Sequence, residues 1–300
     1  MKIIFPATNR VHLSRQKPLL EELSLDNEVS VWSPTISPDM GMANYALMCA
    51  VEFNNFLSKK DFDLALIRAD RFELLSLAAL CSYRGISIAH IEGGAESGER
   101  IIDTKVRDAI TQLADIHLVT DEKAKKNVLS LGVDNVHNVG SLDVSFAKSV
   151  KPKRLIEEDY ILLLHHAVPG EDTELVYDSI KDLGYKIVGV KANQDYNKSL
   201  MHEEYTPEDF INIMRYTKCF VSNSSAACKE SSILGTPVVL TGHRQDGRVV
   251  GHNAIRVPHD AKEIEYATKY QIEHGKYKPD KVYYKPNTIK LISSIIKKNV

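Results

Sequence analysis

The stretch from Cys219 to Arg248 constrains what this chain can fold into more than any other. It reads CFVSNSSAACKESSILGTPVVLTGHRQDGR. An apolar, β-prone run is followed by a polar turn, a helical run over 226–234 and a second apolar run over 238–240. Gly235 just past the helix and Pro237 beyond it are helix stop signals. The pattern therefore predicts a β-α-β unit with parallel strands.

The turn between the first of these strands and the helix is rich in serine. Ser224 and Ser225 stand where N-cap residues belong. A helix start presents unpaired N–H groups and a partial positive charge, which suit a phosphate, and ligands of open parallel sheets bind at the carboxyl ends of the strands. The residues alone leave two interpretations equally open: the serines only cap the helix, or the turn binds a phosphate.

A family resemblance favours the second interpretation. The NSS sequence, Glu230 after it and GTPVVLTGHRQDGR resemble the nucleotide-binding segment of the UDP-N-acetylglucosamine 2-epimerases, above all the hydrolysing branch that makes N-acetylmannosamine. A match of this length is more specific than a short glycine motif. The resemblance implies that Ser224 and Ser225 hold the UDP phosphates, that Glu230 binds the ribose hydroxyls and that Arg244 lies beside the sugar-phosphate.

The length of 300 residues suits two α/β domains of about 150 each. We place a first domain for the sugar or acceptor at 1–150 and a UDP-binding domain at 151–300, with the last helix able to cross back to the first. The resemblance, which extends over nearly the whole chain, implies the α/β fold class of GT-B type. In that class two doubly wound, Rossmann-like domains face each other across a cleft.

Composition and charge limit which classes of protein this chain can belong to. A formal net charge of −2 and a pI of about 6.6 exclude a general basic field for nucleic acid. The four cysteines lie in apolar segments without metal-ligand spacing, so we expect reduced, buried thiols in a cytoplasmic protein. The opening MKIIFPATNR is too short an apolar run for a signal peptide, and no window approaches a membrane span.

Three acidic residues follow strands or open a helix in the first half. Asp70 follows the predicted strand 64–67, Glu92 ends the strand 86–91 within the sequence HIEGG, and Asp103 begins a helix. Because parallel strand ends meet at one edge of a sheet, we expect these carboxyl groups to share a pocket. Crowded like charges and partial burial raise pKa values there, which suits general acid–base chemistry.

Spacing alone favours a structural interpretation of these acids. In it Asp70 pairs with Arg71, Glu92 caps the glycine turn and Asp103 caps a helix. The family resemblance reverses this preference, because HIEGG and the IDxxxR pattern that ends at Arg107 both match the family. It implies that Asp70, Glu92 and Asp103 are catalytic.

The first half also departs from the family. Arg68 and Asp108 stand where the family has histidines. The connection after the second strand lacks a segment whose histidines help to close the sugar pocket in the family. Both differences bear on how the sugar is held.

Further nucleotide contacts are implied by shorter matches. Arg10 and Ser14 match the family sequence NRxxxS, whose Arg and Ser lie near the nucleotide. His166 aligns with the histidine of HPVT, which contacts the UDP-sugar, and Asn193 resembles the Asn of PNxD. These four residues complete the predicted site.

Two functions compete. As a hydrolysing epimerase, the chain would use Asp70, Glu92 and Asp103 as acid and base, with His166 at the leaving phosphate. As a glycosyltransferase of the same fold, it would transfer the sugar of a UDP-sugar to an acceptor, with modified DNA as one possibility. The basic tail over 276–298, with its interleaved tyrosines, is either an amphipathic helix packed on the first domain, which we favour, or a surface on which bases stack.

The partners and cofactors follow from these hypotheses. We expect a UDP-sugar as substrate, no cofactor and no metal ion, a homo-oligomer and no membrane association. A nucleic-acid partner is expected only under the glycosyltransferase alternative.

Overall fold

The computed structural model describes residues 1–8, 10–37, 40–96, 102–166, 168, 170–191 and 205–300, without the side chains of residues 10–12 and 14. The chain forms two compact units. The first comprises Met1–Ala95, Arg100–Leu142 and Lys285–Val300, and the second Glu96–Glu99 and Asp143–Tyr284. The domain boundary predicted between residues 150 and 151 stays a prediction.

Among its described residues, the first unit contains a six-stranded parallel sheet flanked by helices. Its strands are β1 (Lys2–Pro6), β2 (Glu28–Trp32), β3 (Leu64–Arg68), β4 (Ser87–Ile91), β5 (Ile116–Val119) and β6 (Val136–Asn138). Its helices include α1 (Arg10–Leu23), α2 (Met42–Leu57), α3 (Phe72–Tyr83), α4 (Ile102–Leu113) and α5 (Glu122–Ser130). The strand order is β2-β1-β3-β4-β5-β6.

The part of the second unit that the structure describes contains a five-stranded parallel sheet of order β11-β10-β9-β7-β8. Its strands are β7 (Tyr160–Leu164), β8 (Lys186–Gly189), β9 (Cys219–Ser222), β10 (Val238–Thr241) and β11 (Ala254–Val257). Helix α6 (Leu142–Ser149) precedes this sheet and α10 (Ala261–His274) follows it. Helices α7 (Thr173–Asp178), α8 (Pro207–Tyr216) and α9 (Glu230–Leu234) connect its strands.

Both sheets are buried on their two faces, as parallel sheets require. Every residue of β3 and of β7 is buried. Separate apolar clusters line the two faces of each sheet. Within the described ranges, every helix is too short or too polar to cross a lipid bilayer.

The strand order of each sheet locates its ligand crevice. The chain reverses its direction of winding between β1 and β3 in the first unit and between β7 and β9 in the second. In open α/β sheets, ligands bind beyond the carboxyl ends of the strands at such a switch point. Topology therefore directs attention to the turns after β3, β7 and β9.

Helix α1 begins earlier than the sequence indicates. Pro18 is a favoured first helical residue and predicts a start there, but α1 begins at Arg10 and Pro18 lies inside it. Leu19, Leu20 and Leu23 are buried against the sheet. Their packing outweighs the cost of an internal proline.

The tail divides into a buried segment and a helix. Helix α11 (Thr288–Asn299) buries Ile292, Ile295 and Ile296 in a core cluster of the first unit. Before it, Tyr283 is only 1% exposed and donates a hydrogen bond from its hydroxyl to Val249 O at 2.6 Å in the second unit. The hypothesis that this tyrosine stacks on bases is therefore wrong.

We expect Tyr283→Phe to lower the free energy of unfolding by about 1 kcal/mol, because the partly buried carbonyl of Val249 loses its hydrogen bond from Tyr283. Urea unfolding measures this difference. Tyr266→Phe is the matched control: Tyr266 is 72% exposed, and its substitution should leave stability unchanged. Equal effects of the two substitutions would contradict the buried role of Tyr283.

Candidate active site

The turns after β3 and β4 carry backbone strain. Ala69 and Glu92 directly follow these two strands and adopt positive φ angles of 63° and 70°. Residues other than glycine rarely adopt such backbone angles, and backbone strain of this kind concentrates at functional sites. The two turns are tied together, since Ala69 N–H donates to Ile91 O at 2.9 Å.

The sequence HIEGG owes its two glycines to close packing. A Cβ on Gly93 would lie 3.0 Å from His90 Nδ1, and one on Gly94, whose φ is +75°, would lie 2.3 Å from Ala124 O. His90 Nε2 lies 3.0 Å from Ala69 O, and its Nδ1 lies 3.1 Å from Thr111 Oγ1. The glycines thus allow the turn to pass between a buried histidine and α5, which presents Glu92 at the strand end.

Glu92 is 7% exposed and lies in a buried polar network. Arg68 Nη2 donates to its Oε1 at 3.2 Å, and Ser141 Oγ donates to the same atom at 3.4 Å. In the amide orientation that satisfies its hydrogen bonds, Gln16 Oε1 accepts from Arg68 Nη1 at 2.6 Å and from Nε at 2.9 Å. The arginine that replaces a family histidine therefore holds the side chain of Glu92.

Asp70 is tied to the helix that carries Asp103. The guanidinium of Arg107 donates to Asp70 Oδ2 and to Ala95 O, and Arg107 is 3% exposed. Asp103 lies in the first turn of α4, four residues before Arg107, so both side chains occupy one face of the helix. The structure therefore places Asp70 beside the Asp103 face of α4.

The structural interpretation of Asp70 was wrong in its partner. Arg71 donates to Glu73 Oε1 at 2.6 Å, whereas Asp70 pairs with Arg107. Sequence reasoning did not include Arg107 among the site residues, although the IDxxxR pattern contains it. Its position one helical turn after an acidic residue was the available signal.

Burial lowers the pKa of His90 to about 4. An unfolded histidine has a pKa of about 6.5, so on acidification the unfolded chain takes up a proton before the folded chain does. The stabilising contribution of neutral His90 is therefore present above pH 6.5 and is lost as the pH falls towards 4. We expect this residue alone to account for a loss of about 2 kcal/mol between pH 7 and pH 5.

Urea unfolding of the wild type and of His90→Gln at both pH values isolates this contribution. The variant should show the smaller loss of stability on acidification. Gln112→Ala is the control, because Gln112 is exposed and its amide does not titrate, so its substitution should leave the pH dependence unchanged. An identical pH dependence in His90→Gln and the wild type would rule out the assignment.

In the second unit, Asn223 organises the switch-point turn. Its side chain is fully buried and spans the ends of β7 and β9. Asn223 Oδ1 accepts from His166 N at 2.8 Å, while Nδ2 donates to His166 O at 2.9 Å and to His165 Nε2 at 3.1 Å. Asn223 therefore holds the backbone of His166, which carries the predicted contact to the UDP-sugar.

The RQDGR segment clamps the same turn. Arg244 Nη1 and Gln245 Nε2 each donate to Asn223 O at 3.0 Å. Arg244 thus lies beside the predicted phosphate turn. Neither Asn223 nor Gln245 was among the predicted site residues, although both stand inside matched motifs.

The segment after this turn is less regular than the sequence indicates. The pattern predicts one helix over 226–234, but a short 3-10 helix (Ser225–Ala227) precedes α9. Hydroxyl groups compete with helical pairing here, since Ser231 Oγ donates to Ala227 O at 2.6 Å. Ser224 accepts from Ala226 N at 3.3 Å and caps the 3-10 helix, as expected of a serine there.

The remaining predicted residues of this unit lie close in sequence to the turn. Ser225 begins the 3-10 helix, and Glu230 begins α9 with 1% of its surface exposed. Burial lowers the pKa of His166 to about 3 and that of His165 to about 4, and the charge of Arg244 acts in the same direction. Both imidazoles are therefore neutral at pH 7.

Three predicted contacts cannot be placed as side chains. Arg10 and Ser14 lie in the first turns of α1, and their side chains are outside the described part of the chain. Asn193 falls within 192–204, which also lies outside the described residues.

Comparison with known proteins identifies the family. The sequence profile described as UDP-N-acetylglucosamine 2-epimerase matches residues 16–297. The chain belongs to this family. The predicted family is thereby confirmed over nearly the whole length.

Individual relatives within the family differ in the sugar that their names state. UDP-N-acetylglucosamine 2-epimerase of Neisseria meningitidis is 27% identical over 252 residues, which are 74% of this chain and 66% of that protein. The hydrolysing GDP/UDP-N,N'-diacetylbacillosamine 2-epimerase of Campylobacter jejuni is 27% identical over 231 residues, 64% of this chain and 59% of that protein. The match thus spans slightly less than two thirds of these curated relatives.

A solved structure confirms the fold class. UDP-GlcNAc 2-epimerase of Methanocaldococcus jannaschii, in complex with UDP-GlcNAc and UDP, superposes with a TM-score of 0.81 at 15% identity and covers 99% of this chain and 100% of its own. Two Rossmann-like α/β domains of GT-B type, predicted from the sequence, are therefore the fold class of this family member.

Proposed function

We propose that this chain is a hydrolysing UDP-N-acetylglucosamine 2-epimerase that releases N-acetylmannosamine and UDP. The observation that carries the proposal is Glu92, an acidic side chain in a strained conformation at the end of β4, held by Arg68 within the family sequence HIEGG. Family membership and the names of the relatives support the same chemistry.

The proposed reaction has two steps. A carboxylate removes the proton at C2 of the sugar while the C1–O bond to UDP breaks in an anti elimination, giving a glycal and UDP. Water then adds across the double bond, its hydroxyl at C1 and a proton at C2 on the opposite face, which inverts C2. Asp70, Glu92 and Asp103 supply the acid and base, and the reaction as proposed draws on no cofactor.

We assign UDP binding to the switch-point turn of the second unit. Ser224 and Ser225 hold the phosphates, Glu230 the ribose, and Arg244 and His166 the sugar-phosphate. The support is the turn geometry: Asn223 fixes the backbone of His166, and Arg244 is anchored on the same residue. Arg10, Ser14 and Asn193 complete the proposed nucleotide contacts. We also propose that the enzyme is a cytoplasmic homo-oligomer.

An assay in heavy water distinguishes epimerisation from sugar transfer. Purified protein is incubated with UDP-N-acetylglucosamine in D2O without an acceptor, and the C1 and C2 protons are followed by NMR. We expect free UDP and N-acetylmannosamine with deuterium at C2. A mixture that stays inert until an acceptor is added would support sugar transfer instead and overturn the proposal.

The same assay determines the sugar. UDP-N,N'-diacetylbacillosamine is supplied in parallel, because relatives that act on this sugar are similarly distant. We expect faster turnover of UDP-N-acetylglucosamine. Faster turnover of the bacillosamine derivative would keep the reaction class and replace the substrate.

A further inference from the structure

Three potential metal ligands converge in the second unit. His165 follows β7, Glu171 precedes α7 and His259 follows β11. One ligand atom from each lies within 4.8 Å of the others, and His165 Nε2 is 3.6 Å from Glu171 Oε2. No short sequence motif indicates this cluster, because His259 comes from a different loop than His165 and Glu171.

The cluster is partly buried and incompletely hydrogen bonded. The side chain of His165 has no exposed surface, and that of Glu171 is 9% exposed. Glu171 Oε2 and His259 Nδ1 are buried atoms for which the described structure provides no hydrogen-bond partner. Buried polar atoms are nearly always satisfied, so a carboxyl oxygen without a donor beside two imidazoles is suited to binding a cation.

The surroundings are arranged for these side chains. Thr173 Oγ1 lies 3.2 Å from His165 Nδ1, and this hydrogen bond directs Nε2 towards Glu171. Glu171 Oε1 accepts from His243 N at 3.1 Å, which leaves Oε2 facing the imidazoles. A Cβ on Gly242, whose φ is +67°, would lie 2.1 Å from Glu171 Oε1, so only glycine leaves room for the carboxyl group.

We propose that His165, Glu171 and His259 bind a zinc ion. Two imidazoles and one carboxylate are a set of protein ligands that zinc accepts, with a fourth position open to water. At zinc–ligand distances of about 2.0–2.2 Å, the ligand atoms of a tetrahedral site lie about 3.4 Å apart. Shifts of the ligand atoms by about 1 Å, through side-chain rotation, therefore complete the site. The ion ties the loops after β7 and β11 together.

Two existing hydrogen bonds give way when zinc binds. Asn223 Nδ2 now donates to His165 Nε2, and Asp172 N donates to His259 Nε2 at 2.9 Å. A neutral imidazole carries one proton, so coordination through either nitrogen of His259 replaces its bond with Asp172. Since Asn223 also holds His166, zinc uptake changes the contacts of the turn to which UDP binding is assigned.

Zinc binding is tested on the full chain after removal of metals with a chelator. Calorimetric titration with zinc chloride should give one ion per chain with a dissociation constant below about 1 μM, and Glu171→Gln and His259→Gln should each weaken it at least about 100-fold. His252→Gln is the matched control, since His252 pairs with Asp280 outside the cluster. It should retain full affinity.

Two further readouts keep the test independent of folding defects and of catalysis. Circular dichroism verifies that the variants are folded. Cobalt in place of zinc should give the visible absorption of a four- or five-coordinate ion in the wild type and in His252→Gln, but not in Glu171→Gln or His259→Gln. Zinc should also raise the melting temperature of the wild type and of His252→Gln. Absence of stoichiometric binding, or equal binding by the wild type and Glu171→Gln, overturns the proposal.

Discussion

Replacing Arg68 with methionine is expected to lower the free energy of unfolding by about 3–5 kcal/mol. Arg68 is 3% exposed, and Glu92, its partner, is 7% exposed. Removing the guanidinium takes the Arg68 cation from a buried carboxyl group and takes two donors from the buried Gln16 carbonyl. Loss of one partner of a buried pair is far more costly than loss of a surface pair.

The double variant Arg68→Met with Glu92→Gln provides the decisive comparison. It removes both charges, so its loss of stability should be smaller than the sum of the two single losses. Lys17→Met is the control in the same unit: Lys17 adjoins Gln16 in sequence but pairs with Glu21 at 3.8 Å on the surface. Its effect should stay below about 0.5 kcal/mol. Strictly additive single losses would show that Arg68 and Glu92 do not interact.

The same pair connects stability with the proposed chemistry. An enzyme that uses Glu92 on the sugar has to hold that side chain in one position at a strained turn. The family places a histidine at position 68, whereas this chain uses an arginine that also binds Gln16 on α1. The replacement noted in the sequence is thus accommodated by a different set of hydrogen bonds.

Local sequence signals predict best those helices whose ends are marked by capping residues or by proline. Helix α8 (Pro207–Tyr216) begins where local sequence signals indicate, because Thr206 caps it and Pro207 suits a first helical position. The strands were recognisable as short apolar runs. For 171–183 the sequence pattern indicates one helix, but α7 spans only Thr173–Asp178. Asp172, and not Glu171, caps its start, and the chain continues in turns from Ser179.

The site was less accessible than the fold, because its contacts join distant segments. Motif matching predicted Asp70 and Glu92, yet their partners Arg107 and Arg68 follow only from the packing of α4 and from the pairing of β3 with β4. Asn223 lies 57 residues from His166, which its side chain holds. A motif of neighbouring residues contains no information about contacts between residues that are distant in the sequence.

Replacing Asn223 with aspartate is expected to raise the dissociation constant for UDP at pH 7.5 about 100-fold, which corresponds to about 2.7 kcal/mol. The change keeps the shape of the side chain, and Oδ1 still accepts from His166 N. The second oxygen, in the place of Nδ2, faces His166 O at 2.9 Å and His165 Nε2 at 3.1 Å, where a donor is required. It also adds a negative charge to the turn to which the diphosphate is assigned.

The physical origin of the effect is separable from a general loss of stability. Asn212→Asp is the matched control, because Asn212 lies in the same unit and is only 4% exposed. Its Oδ1 accepts from Lys153 N at 3.0 Å, and its Nδ2 donates to Lys151 O at 3.3 Å. Asn212→Asp should destabilise the protein without changing the UDP affinity. Calorimetric titration with UDP compares the two variants. At acidic pH, UDP binding by Asn223→Asp should partly recover, because protonation of His165 supplies the missing donor. Equal UDP affinities of the two variants at pH 7.5 would contradict the assignment of the diphosphate to this turn.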